Sequence, residues 1–126
     1  MEIADVVPDV EVVNLTPHVV RLVGDELTVE VPASGPPARV VLQPDVVDGA
    51  VRVGALVVPL KRTAASPVVV GVPEPRPGML FIVARPVAEA LAERGDLVYP
   101  HDTVRDAEGR VVGCRSLARP VVVAGG

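Results

Sequence analysis

Short apolar runs separated by turns dominate this sequence, and the turns limit every element to a few residues. Fourteen prolines and eleven glycines divide the chain. Proline fixes φ and removes a backbone donor, while glycine permits left-handed turns. The runs recur at roughly ten-residue spacing, which is typical of all-β sandwiches and barrels. Valine is the main apolar residue, and its stiff, branched side chain favours the pleated surface of a sheet.

One segment departs from this pattern and predicts a helix. Residues 79–83 form an apolar run without polar alternation, as expected for a strand that is covered on both faces. Pro86 suits the first turn of a helix, and the apolar residues after it recur at helical spacing. Gly95 predicts a left-handed stop. We therefore expect one short α-helix at about 86–94.

Two hairpins are predicted from turn chemistry and alternation. Residues 103–105 and 110–113 flank a short turn that ends in Gly109, which is a standard hairpin connection. Closer to the N-terminus, residues 27–31 alternate apolar and polar side chains after a strand at 19–23. That alternation predicts a hairpin with one face in water.

The middle of the chain is predicted to hold one longer strand. Residues 51–60 are mostly Val and Leu and follow a turn at Asp48-Gly49. Gly54 inside this run indicates a bulge or a bend, because glycine is otherwise unfavourable in a strand interior.

These elements predict a mainly β protein, a small barrel or sandwich of short strands with one helix plugging an end or a side. With 126 residues, the chain is expected to form one domain that spans residues 1–126. The valine-rich strands leave few polar side chains for a face in water. Either both faces of the sheet are covered within the subunit or a partner covers one of them, and we favour the second, a homo-oligomer.

Charge and composition exclude several classes of protein. The formal net charge is −4 with both signs interspersed, so extended nucleic-acid binding, which needs a basic footprint, is disfavoured. A single cysteine excludes an internal disulfide framework. No charged-then-apolar leader is present, and no apolar run reaches the roughly 18 to 20 residues that cross a bilayer. We expect a cytoplasmic protein without a membrane partner.

A family resemblance rests on four stretches of the sequence. They are Asn14-Leu15-Thr16-Pro17-His18, the Ser34-Gly35 loop before Ala38-Arg39-Val40, Pro75-x-Pro77-Gly78-x-x-Phe81-Ile82-Val83, and Val104-Arg105-Asp106-x-x-Gly109-Arg110-Val111-Val112-Gly113-Cys114-Arg115. Together they resemble a group of small uncharacterised proteins encoded by phages, prophages and actinobacteria, although residues 43–70 carry no matching motif. The resemblance implies a compact domain of viral or mobile-element association, and it implies no particular reaction.

The first stretch also holds candidate binding residues. His18 follows a proline in a turn, where it could bind a ligand or carry a proton near neutral pH. The alternative is a histidine that ties its own loop to a neighbouring backbone. Asn14 and Thr16 are typical turn formers, and they gain a binding role only if all three residues converge on a cleft.

Arginine and aspartate side chains cluster in sequence around the C-terminal hairpin. An arginine fork grips a phosphate or a carboxylate with two hydrogen bonds. The alternative is a solvated network of salt bridges, which contributes little stability. The predicted ligand-binding residues are Asn14, Thr16, His18, Arg39, Arg85, Asp102, Arg105 and Arg115.

Cys114 is a weak candidate for a nucleophile. Arg115 beside it and Arg105 across the hairpin could lower the pKa of its thiol, and a base would have to be His18 or His101. A buried, unreactive thiol is the more common role of a free cysteine. The two histidines and one cysteine show no metal-ligand spacing, and no glycine-rich phosphate loop is present. We predict neither a metal nor another cofactor.

The sequence favours a non-enzymatic binding protein that sequesters a small phosphate-bearing or nucleotide-derived ligand in an anti-defence role. One alternative is a small hydrolase or lyase that acts on a nucleotide-like substrate through His18 or Cys114. Another is a structural or protein-binding module, either of a phage particle or directed at a host protein.

Overall fold

The computed structural model describes residues 10–41, 44–63 and 68–121. Within these ranges the chain is mainly β, as predicted, and no helix is long and apolar enough to cross a membrane. The elements are β1 (Glu11–Asn14), β2 (Val20–Val23), β3 (Thr28–Val31), β4 (Arg39–Val41), β5 (Val46–Val53), β6 (Leu56–Arg62), β7 (Val68–Val70), β8 (Met79–Ile82), α1 (Arg85–Ala90), β9 (Leu97–Arg105) and β10 (Val111–Ala118).

Six strands form one sheet in the order β1-β8-β9-β10-β2-β3. Strands β1, β8 and β9 run parallel, while β9 with β10 and β2 with β3 are antiparallel pairs. The two ends of the sheet approach each other where Asn14 bridges to Ala33, just after β3. This contact makes the sheet a nearly closed barrel, which decides between the barrel and the sandwich that the sequence left open.

The β8 strand is central and separates two apolar clusters. Phe81 belongs to a cluster that includes residues of α1 and is packed by residues of β4 and β7. Ile82, its neighbour on the opposite face, packs in a second cluster with Val20, Val98 and Cys114. Because the four residues of this cluster come from β2, β8, β9 and β10, the second cluster fills the barrel. The predicted covering of both faces of this strand is confirmed.

The helix is shorter than predicted and covers the outer face of the sheet. It ends at Ala90, and the N–H of Leu91 donates to carbonyl oxygens of the last helical turn. A series of turns follows, closed by a two-bond ion pair between Arg94 and Asp96. Gly95 does not adopt a positive φ, so the predicted left-handed stop is wrong. The ion pair fixes the chain between α1 and β9 instead.

Both predicted hairpins are present. In the β9–β10 hairpin, Val111 lies opposite Arg105 and Gly113 opposite Val104, with a bulge between the two pairs. The β2–β3 pair is regular from Val23 opposite Thr28 to the far end. Local turn chemistry is therefore sufficient to specify these pairings.

The single strand predicted at 51–60 is wrong, because a hairpin occupies this part of the chain. Gly54 adopts φ 63° and forms the turn between β5 and β6. Gly49, expected in a turn, lies inside β5 with φ 93°, at a register shift between Val47 and Ala50. Both glycines take left-handed backbone, and the two features are exchanged relative to the prediction: the bulge is at Gly49 and the turn at Gly54.

Candidate functional site

An open cavity of about 420 Å³ lies between the start of α1 and the middle of β9. It is the place in the described residues where cationic, aromatic, carboxylate and hydroxyl groups meet at a concave surface. Its lining consists of Arg85, Tyr99, Pro100, His101, Asp102 and Thr103.

The backbone of β9 changes conformation at Asp102, which lines the cavity. This residue has φ 51°, the one positive value among non-glycine residues of the described ranges, and aspartate tolerates it better than most residues. Before this point β9 is buried from Leu97 to Tyr99, and from His101 onward it is largely exposed. The Ser116 hydroxyl donates to Asp102 Oδ2 over 2.6 Å and holds the carboxylate against β10.

Arg85 and Tyr99 form the side of the cavity nearest the helix. The guanidinium carbon of Arg85 lies 5.3 Å from the centre of the Tyr99 ring, within the range of a cation–π contact. Arg85 Nε also lies 3.6 Å from Glu89 Oε2, one helical turn away. The guanidinium is 63% exposed at its side chain, so it is oriented by these neighbours and remains open to a ligand.

The His101 ring lies next to the Tyr99 ring in an edge-to-face arrangement. The ring centres are 6.3 Å apart with an angle of 89° between the planes, a preferred geometry for aromatic pairs. The His101 ring is exposed beside the cationic Arg85 and the anionic Asp102. The Tyr99 ring is buried and supports Arg85. A guanidinium binds phosphate, a ring stacks on a base, and a carboxylate accepts hydrogen bonds from sugar hydroxyls.

Ser116, His101 and Asp102 do not form a catalytic triad, although the residue types are suggestive. A nucleophilic serine needs its hydroxyl within hydrogen-bond reach of the imidazole. Here the hydroxyl of Ser116 donates to Asp102, and His101 Nε2 is 3.9 Å from Asp102 Oδ1. The serine hydroxyl is therefore hydrogen-bonded to the carboxylate and not to the imidazole, which is not the arrangement of a triad.

Cys114 is not poised as a nucleophile. The residue is 2% exposed inside the barrel, and burial raises the pKa of its thiol, against a smaller lowering by the backbone of His101. Arg105 donates to the carbonyl oxygen of Gly109 in the hairpin turn. The lowering of the thiol pKa expected from neighbouring arginines is therefore not found.

The predicted N-terminal residues lie together at the barrel seam, away from the residues that line the cavity. Asn14 is fully buried, and its Nδ2 donates to the carbonyl oxygens of His18 and Val31 over 2.8 and 2.9 Å. Its Oδ1 accepts hydrogen bonds from the backbone N–H and the hydroxyl of Thr16. Every polar atom of the Asn14 side chain is thus used within the chain, which gives Asn14 and Thr16 a structural role in the turn. The His18 side chain is exposed beside them.

The predicted arginines do not converge on one point. Arg85 lines the cavity together with Asp102, while Arg105 is engaged in its own hairpin turn. Arg115 is exposed on β10, between residues that pair with Thr103 and His101, so it lies opposite Asp102 in the ladder. Arg39 is exposed at the start of β4.

Sequence reasoning did not select Tyr99, His101, Thr103 and Ser116 as site residues. A signal was present, because the chain has one Tyr and two His, and Tyr99 and His101 stand two residues apart. Residues at i and i+2 of a strand share a face. The contribution of Ser116 depends on the pairing of β10 with β9 and has no local signal.

A second cavity, of about 260 Å³, lies between β2 and β10. It is lined mostly by valines, and its one charged residue, Arg21, is already bound to Glu30 and to the carbonyl oxygen of Val112. The first cavity therefore offers the richer set of polar groups. In the described ranges, no three His, Cys, Asp or Glu side chains are grouped so that they could hold a metal ion.

Comparison with known proteins gives no relative from which a role could be transferred: no family model, curated protein or solved structure matches the chain.

Proposed function

We propose that this protein is a non-enzymatic binding protein that sequesters a small phosphate-bearing or nucleotide-derived ligand. The ligand would occupy the cavity of Arg85, Tyr99 and Asp102. The resemblance to phage and prophage proteins supports a role on the side of a mobile element, where sequestration of a nucleotide signal would act against host defence.

The position of Arg85 is the observation that carries this proposal. Its guanidinium is held over the Tyr99 ring at 5.3 Å and stays largely exposed at the mouth of the cavity. A pre-oriented guanidinium loses less conformational freedom when it binds an anion than a free one does. A phosphate on Arg85, a base against the exposed His101 ring and sugar hydroxyls on Asp102 would use the three kinds of group that line the cavity.

Binding is favoured over catalysis by the state of the candidate nucleophiles. The Ser116 hydroxyl donates a hydrogen bond to Asp102 and has no bond to a histidine, and the thiol of Cys114 is buried with a raised pKa. Neither group is activated in the way that nucleophilic catalysis requires. The alternative of a hydrolase or lyase that acts through Cys114 therefore receives no support from the geometry.

Tyr99 provides a direct test, because the chain contains one Tyr and no Trp. Its intrinsic fluorescence reports on the cavity alone. We would titrate the protein with ribose 5-phosphate and pyrophosphate, which do not absorb where tyrosine does, and measure AMP, ADP and cyclic dinucleotides by calorimetry. We expect saturable binding of at least one nucleotide. Native mass spectrometry after prolonged incubation should recover that nucleotide unchanged in mass.

Two arginine variants separate the site from general charge effects. Arg85→Gln removes the guanidinium from the cavity, and loss of a charged hydrogen-bonded contact of about 1.5–3 kcal/mol lowers affinity by roughly 10- to 100-fold. Arg52→Gln, on an exposed position of β5, makes the same change in net charge outside the cavity and should bind normally. Equal affinities for the two variants, no binding by the wild-type protein, or conversion of the bound nucleotide would overturn the proposal.

A further inference from the structure

The β5–β6 hairpin presents an unusual number of apolar side chains to solvent. Every residue of β5 is exposed, and within the described ranges the hairpin forms a separate two-stranded sheet that no other strand joins. A two-stranded hairpin is at best marginally stable in water unless a further surface covers it. The β5–β6 hairpin therefore requires a surface that covers it.

The register of the hairpin assigns its side chains to two different faces. Val51 lies opposite Val58 and Val53 opposite Leu56, and residues directly opposite each other in a ladder share a face. Alternation along β6 adds Leu60 to that face, and the pair of Val46 with Arg62 completes it at the base of the hairpin. We call this set the apolar face: Val46, Val51, Val53, Leu56, Val58 and Leu60, with Arg62 at its base.

The opposite face is mixed. It carries the pairs Val47 with Lys61, Ala50 with Pro59, and Arg52 with Val57. Both of its cations are exposed, which suits a face that remains in water. The hairpin is therefore amphipathic: the mixed face suits contact with water, and the apolar face suits contact with another protein surface.

The apolar face carries no uncompensated charge. Its one cationic residue, Arg62, is bound to Asp48 of the same hairpin with 2.8 Å between Arg62 Nε and Asp48 Oδ2. Two copies of this face can therefore meet without bringing unpaired like charges together, whereas two copies of the opposite face would juxtapose arginine and lysine.

The size of the apolar face also fits association with a second copy. Val53 and Leu56 at the tip are 63% and 64% exposed. The whole face exposes on the order of 500 Å², which is at the upper end of the apolar patches found on monomers. Two such faces in full contact would bury at most about 1,000 Å², which is the lower limit for a specific interface.

We propose that the apolar face of the β5–β6 hairpin packs against the same face of a second copy of this chain, which makes the protein a two-fold symmetric dimer. A two-fold interface uses one self-complementary patch on both subunits. A twisted ribbon of Val and Leu meets this requirement, because β-sheets pack face to face through interdigitated aliphatic side chains. The inference is independent of the ligand site at Arg85.

Adjacent residues of β6 allow a matched test. Leu56 lies on the apolar face and Val57 on the opposite face, and both are more than half exposed. Sedimentation velocity and native mass spectrometry would be used to compare wild-type protein with Leu56→Glu and Val57→Glu over a wide concentration range. We expect dimers for wild type and Val57→Glu. Leu56→Glu should weaken dimerisation at least ~100-fold, because it places two carboxylates in an apolar contact.

Folding of each variant is checked by circular dichroism and thermal unfolding of dilute, monomeric protein. Both side chains are exposed and belong to neither core cluster, so the two variants should unfold at similar temperatures under these conditions. A monomeric wild-type protein at every concentration, dimers of Leu56→Glu as tight as wild type, or equal disruption by Val57→Glu would each overturn the proposal.

Discussion

Asn14 Nδ2 donates to the carbonyl oxygen of Val31 over 2.9 Å, and this bond joins β1 to β3 across the seam of the barrel. The backbone adds a second link here, because the N–H of Ser34 donates to the carbonyl oxygen of Asn14 over 2.8 Å. The two outer strands of the sheet thus meet through one buried amide side chain and a short length of backbone. A polar residue without solvent exposure holds the barrel closed at this point.

Replacement of Asn14 should destabilise the protein strongly. Asn14→Ala leaves the carbonyl oxygens of Val31 and His18 without their donor, and we expect a loss of about 2–4 kcal/mol in the free energy of unfolding. Asn14→Asp should be at least as harmful, since an ionised carboxylate cannot donate to either carbonyl. Urea unfolding measures the stability loss of both Asn14 variants. Thr16→Val, which removes one hydroxyl from the same network, should cost less; a larger loss for Thr16→Val than for Asn14→Ala would contradict this account of the seam.

Gly113 is required by the close approach of β10 to β2. A Cβ atom at this position would lie 2.8 Å from Val23 Cγ2 and 3.0 Å from the carbonyl oxygen of Arg21. Gly113→Ala must therefore push the strands apart, and we expect a destabilisation of about 1–3 kcal/mol in thermal or urea unfolding. Gly95→Ala is the control, because nothing lies within 4 Å of its Cβ position and its φ is not positive. If the two variants unfold alike, the contact at Gly113 is not a constraint.

The Arg94–Asp96 ion pair predicts a pH dependence of stability. Two hydrogen bonds of 2.9 and 2.6 Å from the Arg94 guanidinium lower the pKa of the Asp96 carboxyl below its ordinary value of 3.8. A lowered pKa stabilises the fold above the pKa of the unfolded chain, and this contribution is lost as the pH falls through the pKa of the folded state. Asp96→Asn should thus cost about 1–2 kcal/mol at neutral pH.

The difference between Asp96→Asn and wild type should shrink as the pH falls below 3.8, the ordinary pKa of an aspartate carboxyl. Urea unfolding at a series of pH values measures this difference. Asp25→Asn, in the exposed turn between β2 and β3, makes the same chemical change outside the ion pair. A deficit of Asp96→Asn that stays constant down to strongly acidic pH would show that the ion pair is not its cause.

Cys114 should be unreactive in the folded protein. The thiol is buried and its pKa is raised, and both effects suppress the thiolate that reacts. We expect labelling by dithiodipyridine at mildly alkaline pH to be at least ~100-fold slower in buffer than in urea, since it needs an opening of the barrel. A Cys114→Ala protein with Arg52→Cys on the exposed hairpin should label rapidly both in buffer and in urea. Rapid labelling of native Cys114 would place the thiol outside the core.

The elements predicted well from the sequence are those whose signals are local. The apolar run at β8 and the Gly109 turn of the β9–β10 hairpin carry their information within a few residues. The end of α1 could not be predicted in this way, because the helix stops at Ala90, before the expected glycine, and the Arg94–Asp96 pair holds the turns that follow. At Gly49 and Gly54 the sequence indicates two left-handed positions, but the choice between a turn and a bulge depends on strand register.

The candidate site shows the same limit. Arg85 and Asp102 were predicted for their chemistry, and both line the cavity. Their meeting with Tyr99 and His101 depends on the backbone at Asp102, where φ is 51° inside a strand. No residue pattern specifies that angle. Arg105 has the same chemistry as Arg85 but donates to a carbonyl of its own turn, a difference that only the folded hairpin defines.

The parallel pairing of β1 with β8 determines when the barrel can form during protein synthesis. Glu11 lies opposite Met79, so β1 is synthesised several seconds before its neighbour at typical elongation rates of about 5–20 residues per second. The contacts of the β2–β3 and β9–β10 hairpins are local, and hairpins of this kind form on a timescale of about 1–10 μs. The seam at Asn14 joins β1 and β3 early in the sequence, yet the core beneath it is supplied by strands made last. A nascent chain that has not reached β8 therefore carries its valine-rich strands without the core residues that cover them in the folded protein.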